Sequence, residues 1–351
     1  MTSSTDIKHV ITVVGATGNQ GGGVVAALLR PAPSSSSASN PTPGSSSYHV
    51  RAVSSDPSGS KALALLAKHA TAVKEGQLSL VQADFADVES LEHAFKGSYG
   101  VFFAGPFMPG NGAKAEESPE AKLGRNVVDA AKAAGVKHFI YSSSNNVSEI
   151  SHGKYVNAVH ADAKAIVGKY AHAQLEAATL LVPSTFYTNL AWPFYARRKD
   201  DGTVAITLPI ESHVTMEFVD ESYDIGNFAA AAFRAGPSVT AGKTYPVCSP
   251  LITSGEIAKE YERATGEKTV VDPASIEEVQ KLVDSVMGAS TSTSLELSET
   301  FAWFADKPDG TISFGAMKPE DDTSYADLGV KASSLAQFIE RTGFRVPAAS
   351  A

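Results

Sequence analysis

Three glycines spaced three residues apart constrain the fold of this 351-residue chain more than any other feature. Gly15, Gly18 and Gly21 directly follow the β-branched run at 9–14, and an apolar helical pattern begins just after them. In this context the first glycine permits a tight turn, the second lets the backbone approach a pyrophosphate, and the third lets helix and strand pack closely. The free N–H groups at the helix amino terminus then face the phosphates. The segment predicts a dinucleotide-binding loop, and its spacing favours a nicotinamide nucleotide over FAD.

Short apolar strands alternate with helices along the first half of the chain. The predicted strands are 9–14, 48–53, 78–82, 100–104, 137–142 and 178–182, and the predicted helices are 22–30, 60–69, 88–95, 120–134 and 158–175. This alternation predicts an α/β fold with a doubly wound parallel sheet, a Rossmann fold, over residues 1–185. Prolines, glycines and aromatic residues break the rhythm afterwards. Residues 186–351 are therefore predicted to form a smaller mixed α/β carboxy-terminal lobe, which binds the substrate or ligand and is interleaved with the last strands.

One segment interrupts this pattern. Residues 31–47 are rich in Ser and Pro and have almost no apolar side chains, so they cannot bury surface. A flexible surface loop is the prediction. Its role is open between a neutral insertion, which loops tolerate at little cost, and a phosphorylatable regulatory loop.

Composition excludes several classes of function. The formal net charge is −9 and basic residues form no long run, which argues against direct nucleic-acid binding. Cys248 is the single cysteine, so we expect a buried structural thiol, a reducing compartment and no metal site. The sequence has neither a secretory signal pattern nor an apolar stretch long enough to span a membrane. We expect a cytoplasmic protein, with an additional nuclear location left open.

Several short motifs, taken together, resemble the NmrA-like family of atypical short-chain dehydrogenase/reductases over about residues 10–339. They are the loop 15–22, the strand 50–53 before Asp56-Pro57, Ala83-Asp84, Tyr141-Ser142-Ser143, His160 with Lys164, and the segment 186–190. The family contains NADPH-dependent reductases of quinones and other small carbonyl or alkene compounds. It also contains members that bind NAD(P) without turnover and report redox state to a partner such as a transcription factor. The resemblance implies the fold and a nicotinamide cofactor, and it leaves the activity open.

The expected cofactor contacts lie at the carboxyl ends of successive strands. They are Gly15, Thr17, Gly18, Asn19, Gln20 and Gly21 in the loop, then Ser54, Ser55, Asp56, Asp84, Phe85, Gly105, Pro106, Phe107, Ser142, Lys164, Phe186 and Asn189. Family members that favour NADP usually carry a basic residue where this chain has Ser54 and Ser55. Asp56 is either an acceptor for ribose hydroxyls, which favours NAD, or a turn residue. NADP(H) is favoured over NAD(H) on the grounds of the resemblance.

The expected catalytic residues are Lys164 and His160. Ordinary short-chain dehydrogenases place a Tyr four residues before such a Lys, and here His160 takes the position of the Tyr. Spacing by four puts both on one helix face, where Lys164 would hold the nicotinamide ribose. For His160, proton donation, ligand positioning and plain packing stay open. The expected substrate contacts are Ser143, Asn145, Tyr155 and Trp192.

Two functions follow as hypotheses. The first is an NADPH-dependent reductase of a small, fairly apolar substrate, favoured by the aromatic cluster at 186–195. The second is a redox sensor that binds NAD(P) and a protein partner without chemistry, favoured by the replacement of Tyr by His. Either a monomer or a homodimer is compatible with the sequence.

Overall fold

The computed structural model describes residues 9–30, 48–108, 112–287 and 291–348. The loop expected at 31–47 lies outside the described residues. The first half of the chain contains β1 (His9–Val14), α1 (Asn19–Leu29), β2 (Tyr48–Ser54), α2 (Ser60–Lys68), α3 (Ala70–Lys74), β3 (Leu78–Gln82), α4 (Val88–Phe95), β4 (Gly100–Phe103), a 3₁₀ turn (Ala115–Glu117), α5 (Pro119–Ala133), β5 (His138–Ser142), α6 (Val147–Ile150), α7 (Val159–Gln174) and β6 (Ala178–Pro183).

The second half has shorter strands and more helices. It contains β7 (Thr185–Phe186), a 3₁₀ helix (Tyr187–Ala191), β8 (Ala196–Arg198), β9 (Val204–Ile206), β10 (Thr215–Met216), β11 (Phe218–Val219), α8 (Tyr223–Ala235), α9 (Pro237–Thr240), β12 (Thr244–Val247), β13 (Ile252–Thr253), α10 (Ser254–Thr265), β14 (Thr269–Val271), α11 (Ile276–Met287), α12 (Thr291–Asp306), 3₁₀ turns (Ser313–Gly315 and Pro319–Asp321), α13 (Ser324–Leu328) and α14 (Leu335–Thr342).

Seven parallel strands form the central sheet, in the order β12-β6-β5-β4-β1-β2-β3. The strand order reverses at β1, between β2 and β4, which is where a doubly wound sheet opens a crevice at its carboxyl edge. The predicted α/β doubly wound fold is confirmed. The phosphate loop follows β1 and therefore lies at this crevice.

Helices cover both faces of the sheet. On one face α1 packs against α8, and Val13 and Phe102 of the sheet meet Phe228 of α8 in one core. On the other face α4, α5 and α7 pack against the sheet, around Phe103 and Tyr141. Since α8 and β12 come from the second half of the chain, the two halves are interleaved.

A third core lies outside the sheet. It is formed by the 3₁₀ helix at 187–191, the small strands β8 and β9, and the helices α10, α12 and α14, and its buried aromatic residues include Phe194, Tyr195 and Phe301. The division of the chain at residue 185 stays a prediction, because β12 returns to the central sheet after this core has begun.

The predicted strands agree with the observed ones to within one residue, but the prediction for α1 was wrong at its start. The helix begins at Asn19, not at residue 22, although glycines occupy positions 21–23. Glycine disfavours helix interiors, which is why the sequence pattern places the start too late. Cys248 is half-buried, not fully buried as expected, because it lies just after β12 at the sheet edge. Burial still raises the pKa of its thiol to about 12, so the thiol is protonated near neutral pH.

Candidate functional site

The glycine loop between β1 and α1 has the geometry of a phosphate cradle. Gly15 has a φ of +80°, and a Cβ there would lie 2.5 Å from the carbonyl oxygen of Ala104. A Cβ at Gly21 would lie 2.2 Å from the carbonyl oxygen of Gly15, so only glycine lets α1 sit against the loop. Gly18 is the N-cap of α1 and offers no side-chain cap. The first N–H groups of the helix are therefore left for an anionic ligand, and the loop fits a dinucleotide pyrophosphate.

Side chains of the loop connect it to the rest of the site. Ser142, at the end of β5, donates a hydrogen bond from Oγ to Gln20 Oε1 over 2.5 Å. Asn19 Nδ2 donates to Glu221 Oε1 over 3.1 Å, and Thr188 Oγ1 donates to the same oxygen over 2.6 Å. Burial raises the pKa of Glu221, whose second oxygen has no partner. The loop, including Thr17, is thus held between the sheet edge and the second half of the chain.

The residues after β2 form a closed turn. Asp56 Oδ1 accepts hydrogen bonds from the backbone N–H and the hydroxyl of Ser58, at 3.1 and 2.8 Å. Ser54 is buried, and its hydroxyl accepts from the Asp56 N–H over 3.2 Å, whereas Ser55 is exposed. Asp56 closes this turn through Oδ1, and its role as an acceptor for ribose hydroxyls stays a prediction.

The segments after β3 and β4 approach the same edge of the sheet. Asp84 Oδ1 accepts from the Ala86 N–H over 2.8 Å, so it also closes a local turn. The Phe85 ring packs against Phe103, with 5.9 Å between the ring centroids. After β4, Gly105 and Phe107 line the cavity described next, whereas the neighbouring Pro106 is exposed.

A cavity of about 410 Å³ lies between the carboxyl edge of the sheet and the second half of the chain. It brings together most of the catalytic and nicotinamide-end residues that the sequence predicted. These are Gln20, Gly105, Phe107, Ser142, Ser143, His160, Lys164, Phe186, Asn189 and Trp192. Its outer wall is aromatic and includes Phe194, Phe304 and Phe314, with the last two rings stacked at 5.4 Å. The cavity thus has a polar side near the sheet and an apolar side opposite it.

Lys164 is largely buried and paired. Its ammonium forms an ion pair with Glu120, the second residue of α5, and the two side chains are 16% and 4% exposed. Burial lowers the pKa of Lys164 to about 8, while the nearby Glu296 carboxylate opposes that shift. The Lys164 side chain lines the cavity, while its Nζ is inaccessible to solvent and faces Glu120.

His160 lies one helical turn before Lys164 and is held from the opposite side. Its Nδ1 is 2.7 Å from Glu296 Oε1 of α12, and its backbone N–H donates to the same oxygen over 2.5 Å. The Phe107 ring contacts the imidazole edge-on at 5.2 Å between centroids. With Nδ1 engaged, Nε2 is the ring nitrogen left for a ligand in the cavity.

Two expected substrate contacts lie elsewhere. The Asn145 side-chain amide donates two hydrogen bonds to Ser313, one to its carbonyl oxygen over 2.6 Å and one to its hydroxyl over 2.9 Å. The Tyr155 hydroxyl donates to Asp306 over 2.5 Å, and neither Asn145 nor Tyr155 lines the cavity. Their polar atoms are engaged by the second half of the chain. Ser143 does line the cavity, although its hydroxyl donates to the Lys164 carbonyl over 3.2 Å.

Sequence reasoning missed several residues of the site, among them Glu120, Glu296, Phe304 and Phe314. No motif marks them, and Glu296 is 136 residues away from the histidine that it contacts. A glutamate in the first turn of a predicted helix was the only available signal for Glu120, and such residues usually serve the helix dipole. In the part of the chain that the structure describes, no group of three or more His, Cys, Asp or Glu residues is arranged to hold a metal ion. Across the same residues, no helix is both long and apolar enough to cross a membrane.

The sequence matches a known protein family over most of its length. The sequence profile of the NmrA-like family matches residues 7–327. An NmrA-like family domain-containing oxidoreductase of Aspergillus hancockii is 27% identical over 344 residues, which cover 93% of this chain and 91% of that protein.

Solved structures share the fold. The negative transcriptional regulator NmrA in complex with NAD superimposes with a TM-score of 0.67 at 20% identity, over 96% of this chain and 92% of that one. The same regulator has also been crystallised with NADP. An NADPH-dependent quinone oxidoreductase from Escherichia coli, complexed with NADPH, gives a TM-score of 0.64 at 20% identity, over 95% of this chain and all of that one.

Proposed function

Because the chain belongs to the NmrA-like family, we propose that it is an NADPH-dependent reductase of a small apolar carbonyl, quinone or enone compound. One observation carries the proposal: Lys164 and His160 of α7 both line a cavity with an aromatic outer wall, next to the glycine loop. A loop alone would serve any nucleotide-binding protein. Reduction also needs a group that holds the nicotinamide ribose and a group that donates a proton. Lys164 and His160, one helical turn apart, can fill these two roles.

The chain's residues divide into those that hold the cofactor and those that act on the substrate. The N–H groups at the start of α1 bind the pyrophosphate, and Lys164 binds the nicotinamide ribose. Phe186 and Asn189 lie against the nicotinamide end. A bound reduced nicotinamide supplies the hydride. His160 then lies where it can donate a proton to the substrate atom opposite the carbon that receives the hydride.

The aromatic wall supports an apolar, flat substrate. Trp192 and Phe194 stack at 6.1 Å with 18° between their planes, and Phe304 and Phe314 continue the wall. Aromatic faces bind a planar ring through dispersion and offset stacking. Quinones and conjugated enones combine a planar apolar part with a carbonyl oxygen. That oxygen can accept a hydrogen bond from the polar side of the cavity. The NADPH-dependent quinone oxidoreductase with the same fold supports this choice.

NADP(H) is the cofactor we favour over NAD(H). The Asp56 carboxylate accepts two hydrogen bonds from Ser58 through Oδ1, which favours a role in the turn over one as a ribose acceptor. Ser55 and Lys61 follow β2 and are exposed, and we propose that they bind the 2′-phosphate at this end of the strand. Asp56→Asn should change the ratio of NADPH to NADH affinity by less than about twofold, since Asp56 serves the turn. A strong shift of that ratio toward NADPH would instead identify Asp56 as a ribose acceptor.

The deciding experiment is a titration followed by a turnover assay. The purified protein is titrated with NADPH, NADP⁺, NADH and NAD⁺, and a panel of quinones and enones is then added while the reduced-nicotinamide absorbance is followed. We expect tightest binding of NADPH, and oxidation of NADPH by at least one quinone. Lys164→Ala should lower turnover about 100-fold or more. Lys169→Ala, on the same helix but in an exposed ion pair with Glu149, is the control and should change little. Tight binding without turnover across the panel would contradict the reductase proposal.

A redox sensor is the second candidate. His160 occupies the position where ordinary short-chain dehydrogenases carry their Tyr, and the NmrA regulator shares this fold. In that case NAD(P) binding controls a protein partner and no reduction occurs. The binding-only outcome of the titration favours it. For either function we propose a cytoplasmic location, since a single cysteine suits a reducing compartment.

A further inference from the structure

Helix α7, which carries His160 and Lys164, is capped at its amino terminus by a different helix. Its N-cap residue is Ala158, which has no side chain able to accept from the first N–H groups. Glu296 Oε1 of α12 accepts from the His160 N–H over 2.5 Å instead. Glu299, one turn further along α12, accepts from the N–H and side-chain amide of Asn157, at 2.7 and 2.5 Å. Two carboxylates of α12 therefore satisfy donors that α7 cannot satisfy itself, where the helix dipole favours negative charge.

Glu296 has a second contact that Glu299 lacks. The same oxygen that accepts from the His160 backbone lies 2.7 Å from Nδ1 of the His160 ring. An ionised carboxylate only accepts hydrogen bonds, so Nδ1 must carry a proton. The Glu296 side chain is 3% exposed, and both of these contacts restrict its movement. The tautomer and the orientation of the ring are thereby set together, with Nε2 left for the cavity.

We propose that Glu296 is a positioning residue for catalysis: it couples helix α12 to the reacting centre by fixing His160 with Nε2 as the proton donor to the substrate. This inference rests on the proposed reductase function and deepens it. It assigns the carboxy-terminal half a role in the chemistry, in addition to forming the aromatic wall of the cavity.

Reduction of a carbonyl substrate at this site transfers one hydride and one proton. Hydride adds to the carbonyl carbon, the C=O π bond breaks, and the oxygen takes the Nε2 proton of the His160 imidazolium. The substrate is reduced by two electrons and the nicotinamide is oxidised by two. The imidazole is left neutral, with its proton on Nδ1 and hydrogen-bonded to Glu296, and it regains a proton at Nε2 from water.

The first test needs no substrate. Protein with ¹⁵N-labelled histidine is studied by NMR at alkaline pH, and the His160 signals are assigned by their absence in His160→Asn. The wild-type ring should show a protonated Nδ1 and an unprotonated Nε2. Glu296→Met should lose this signature and give a mixture of tautomers, whereas Glu299→Met, which also removes a cap of α7, should retain it. A wild-type ring protonated on Nε2 alone would overturn the proposal, even if the Glu296 variant did not fold.

The second test uses turnover with NADPH and 1,4-naphthoquinone as the probe. Glu296→Met should lower kcat about 10- to 100-fold, the cost typical when a metal-binding histidine loses the partner that orients its ring. KM for the quinone and Kd for NADPH should stay within about twofold. Glu299→Met should leave kcat within about threefold. Equal losses in the two variants would mean that α12 only caps α7, and this would overturn the positioning role.

Failure of the reductase function gives a different result. The wild-type protein would then bind NADPH but reduce neither the naphthoquinone nor any other compound of the panel. That outcome would overturn proton donation by His160 whatever its tautomer. The NMR signature and the turnover of the wild type therefore separate the two ideas.

Discussion

The two ends of the candidate site are built in different ways. The phosphate end is one contiguous segment, in which the backbone of Gly15–Gly21 makes the binding surface and its shape depends on missing Cβ atoms. The substrate end is assembled from side chains of distant elements. His160 and Lys164 come from one helix, but their carboxylate partners come from α12 and α5.

The two ends also depend on different contributions to the free energy. At the phosphate end, steric exclusion decides: a Cβ at Gly15 or Gly21 would collide with a backbone carbonyl oxygen. At the substrate end, the cost of burying charge decides, because each base must be paired to be tolerated inside. Substitutions should therefore affect the two ends through different measurements, binding of the nucleotide at one and stability or kcat at the other.

The largest effect expected from changing a charged group comes from breaking the buried ion pair at the substrate end. Glu120→Gln leaves the Lys164 ammonium without its ion-pair partner and should lower the free energy of unfolding by about 3 kcal/mol. Denaturant unfolding measures this. The double variant Glu120→Met/Lys164→Met should recover most of the loss, because an apolar pair has no charge to bury.

The control for that prediction is an exposed ion pair whose lysine lies on the same helix as Lys164. Glu149 and Lys169 form an ion pair whose side chains are 59% and 63% exposed. Glu149→Gln should therefore cost less than about 1 kcal/mol. Equal losses in the free energy of unfolding for Glu120→Gln and Glu149→Gln would show that burial does not strengthen the pair at the substrate end. The proposed difference between the two ends would then be wrong.

The next effect in size belongs to the phosphate end. Gly21→Ala places a Cβ 2.2 Å from the Gly15 carbonyl oxygen, whereas at Gly22 the nearest atom, the Ala16 carbonyl oxygen, would be 3.4 Å away. Relieving the first clash costs about 1–3 kcal/mol. That corresponds to roughly 10- to 100-fold weaker NADPH binding if the loop moves to relieve it. Gly22→Ala should bind within about threefold of the wild type. Fluorescence titration with NADPH compares them, and similar losses in both would argue against a cradle defined by the loop backbone.

A smaller effect is the pH dependence of the substrate end. Burial lowers the pKa of Lys164 to about 8, so the cation that holds the ribose is lost as pH rises through that value. Turnover should fall about tenfold per pH unit above it, and Lys164→Arg, whose charge persists, should remove the fall. An alkaline fall that persists unchanged in Lys164→Arg would assign it to another group.

Stability should change in the opposite direction over the same range. The pKa of Lys164 is about 8 in the folded protein and near 10.5 for an ordinary lysine, so the unfolded chain binds more protons between these values. Folding stability therefore gains a contribution from Lys164 as pH rises through this window. Lys164→Met should lack that contribution, as thermal unfolding at pH 7 and pH 9.5 would reveal.

The same contrast explains what the sequence could predict. The phosphate end depends on residues close together in the chain, so a strand, three glycines and a helix were enough to locate it. The alternation of strands and helices predicted the doubly wound sheet, and parallel strands bring their carboxyl ends to one edge. Ser142, Lys164 and His160 reach the cavity for this reason.

The rest of the site depends on contacts that sequence distance conceals. Nothing near Glu296 indicates that α12 packs on the start of α7. Asn145 and Tyr155 were expected at the substrate, but Ser313 and Asp306 from the second half of the chain accept their hydrogen bonds. Polar groups at a sheet edge bind whatever satisfies them, and only tertiary packing decides whether that is a ligand or the protein itself.

The smallest expected effect lies at the rim of the cavity and separates its substrate role from its packing role. Trp192 and Phe194 both line the cavity, but Trp192 is 37% exposed, whereas Phe194 is 3% exposed and belongs to the third core. Trp192→Ala removes one aromatic face worth about 0.5–1.5 kcal/mol, so KM for a quinone should rise roughly 2- to 10-fold. The Kd for NADPH should not change, because the tryptophan lies away from the phosphate loop. Phe194→Ala should instead lower the free energy of unfolding by about 3–5 kcal/mol, because it leaves a cavity in the third core. If Trp192→Ala weakened NADPH binding as much as quinone binding, the two ends would act as one surface, and the division between a backbone end and a side-chain end would fail.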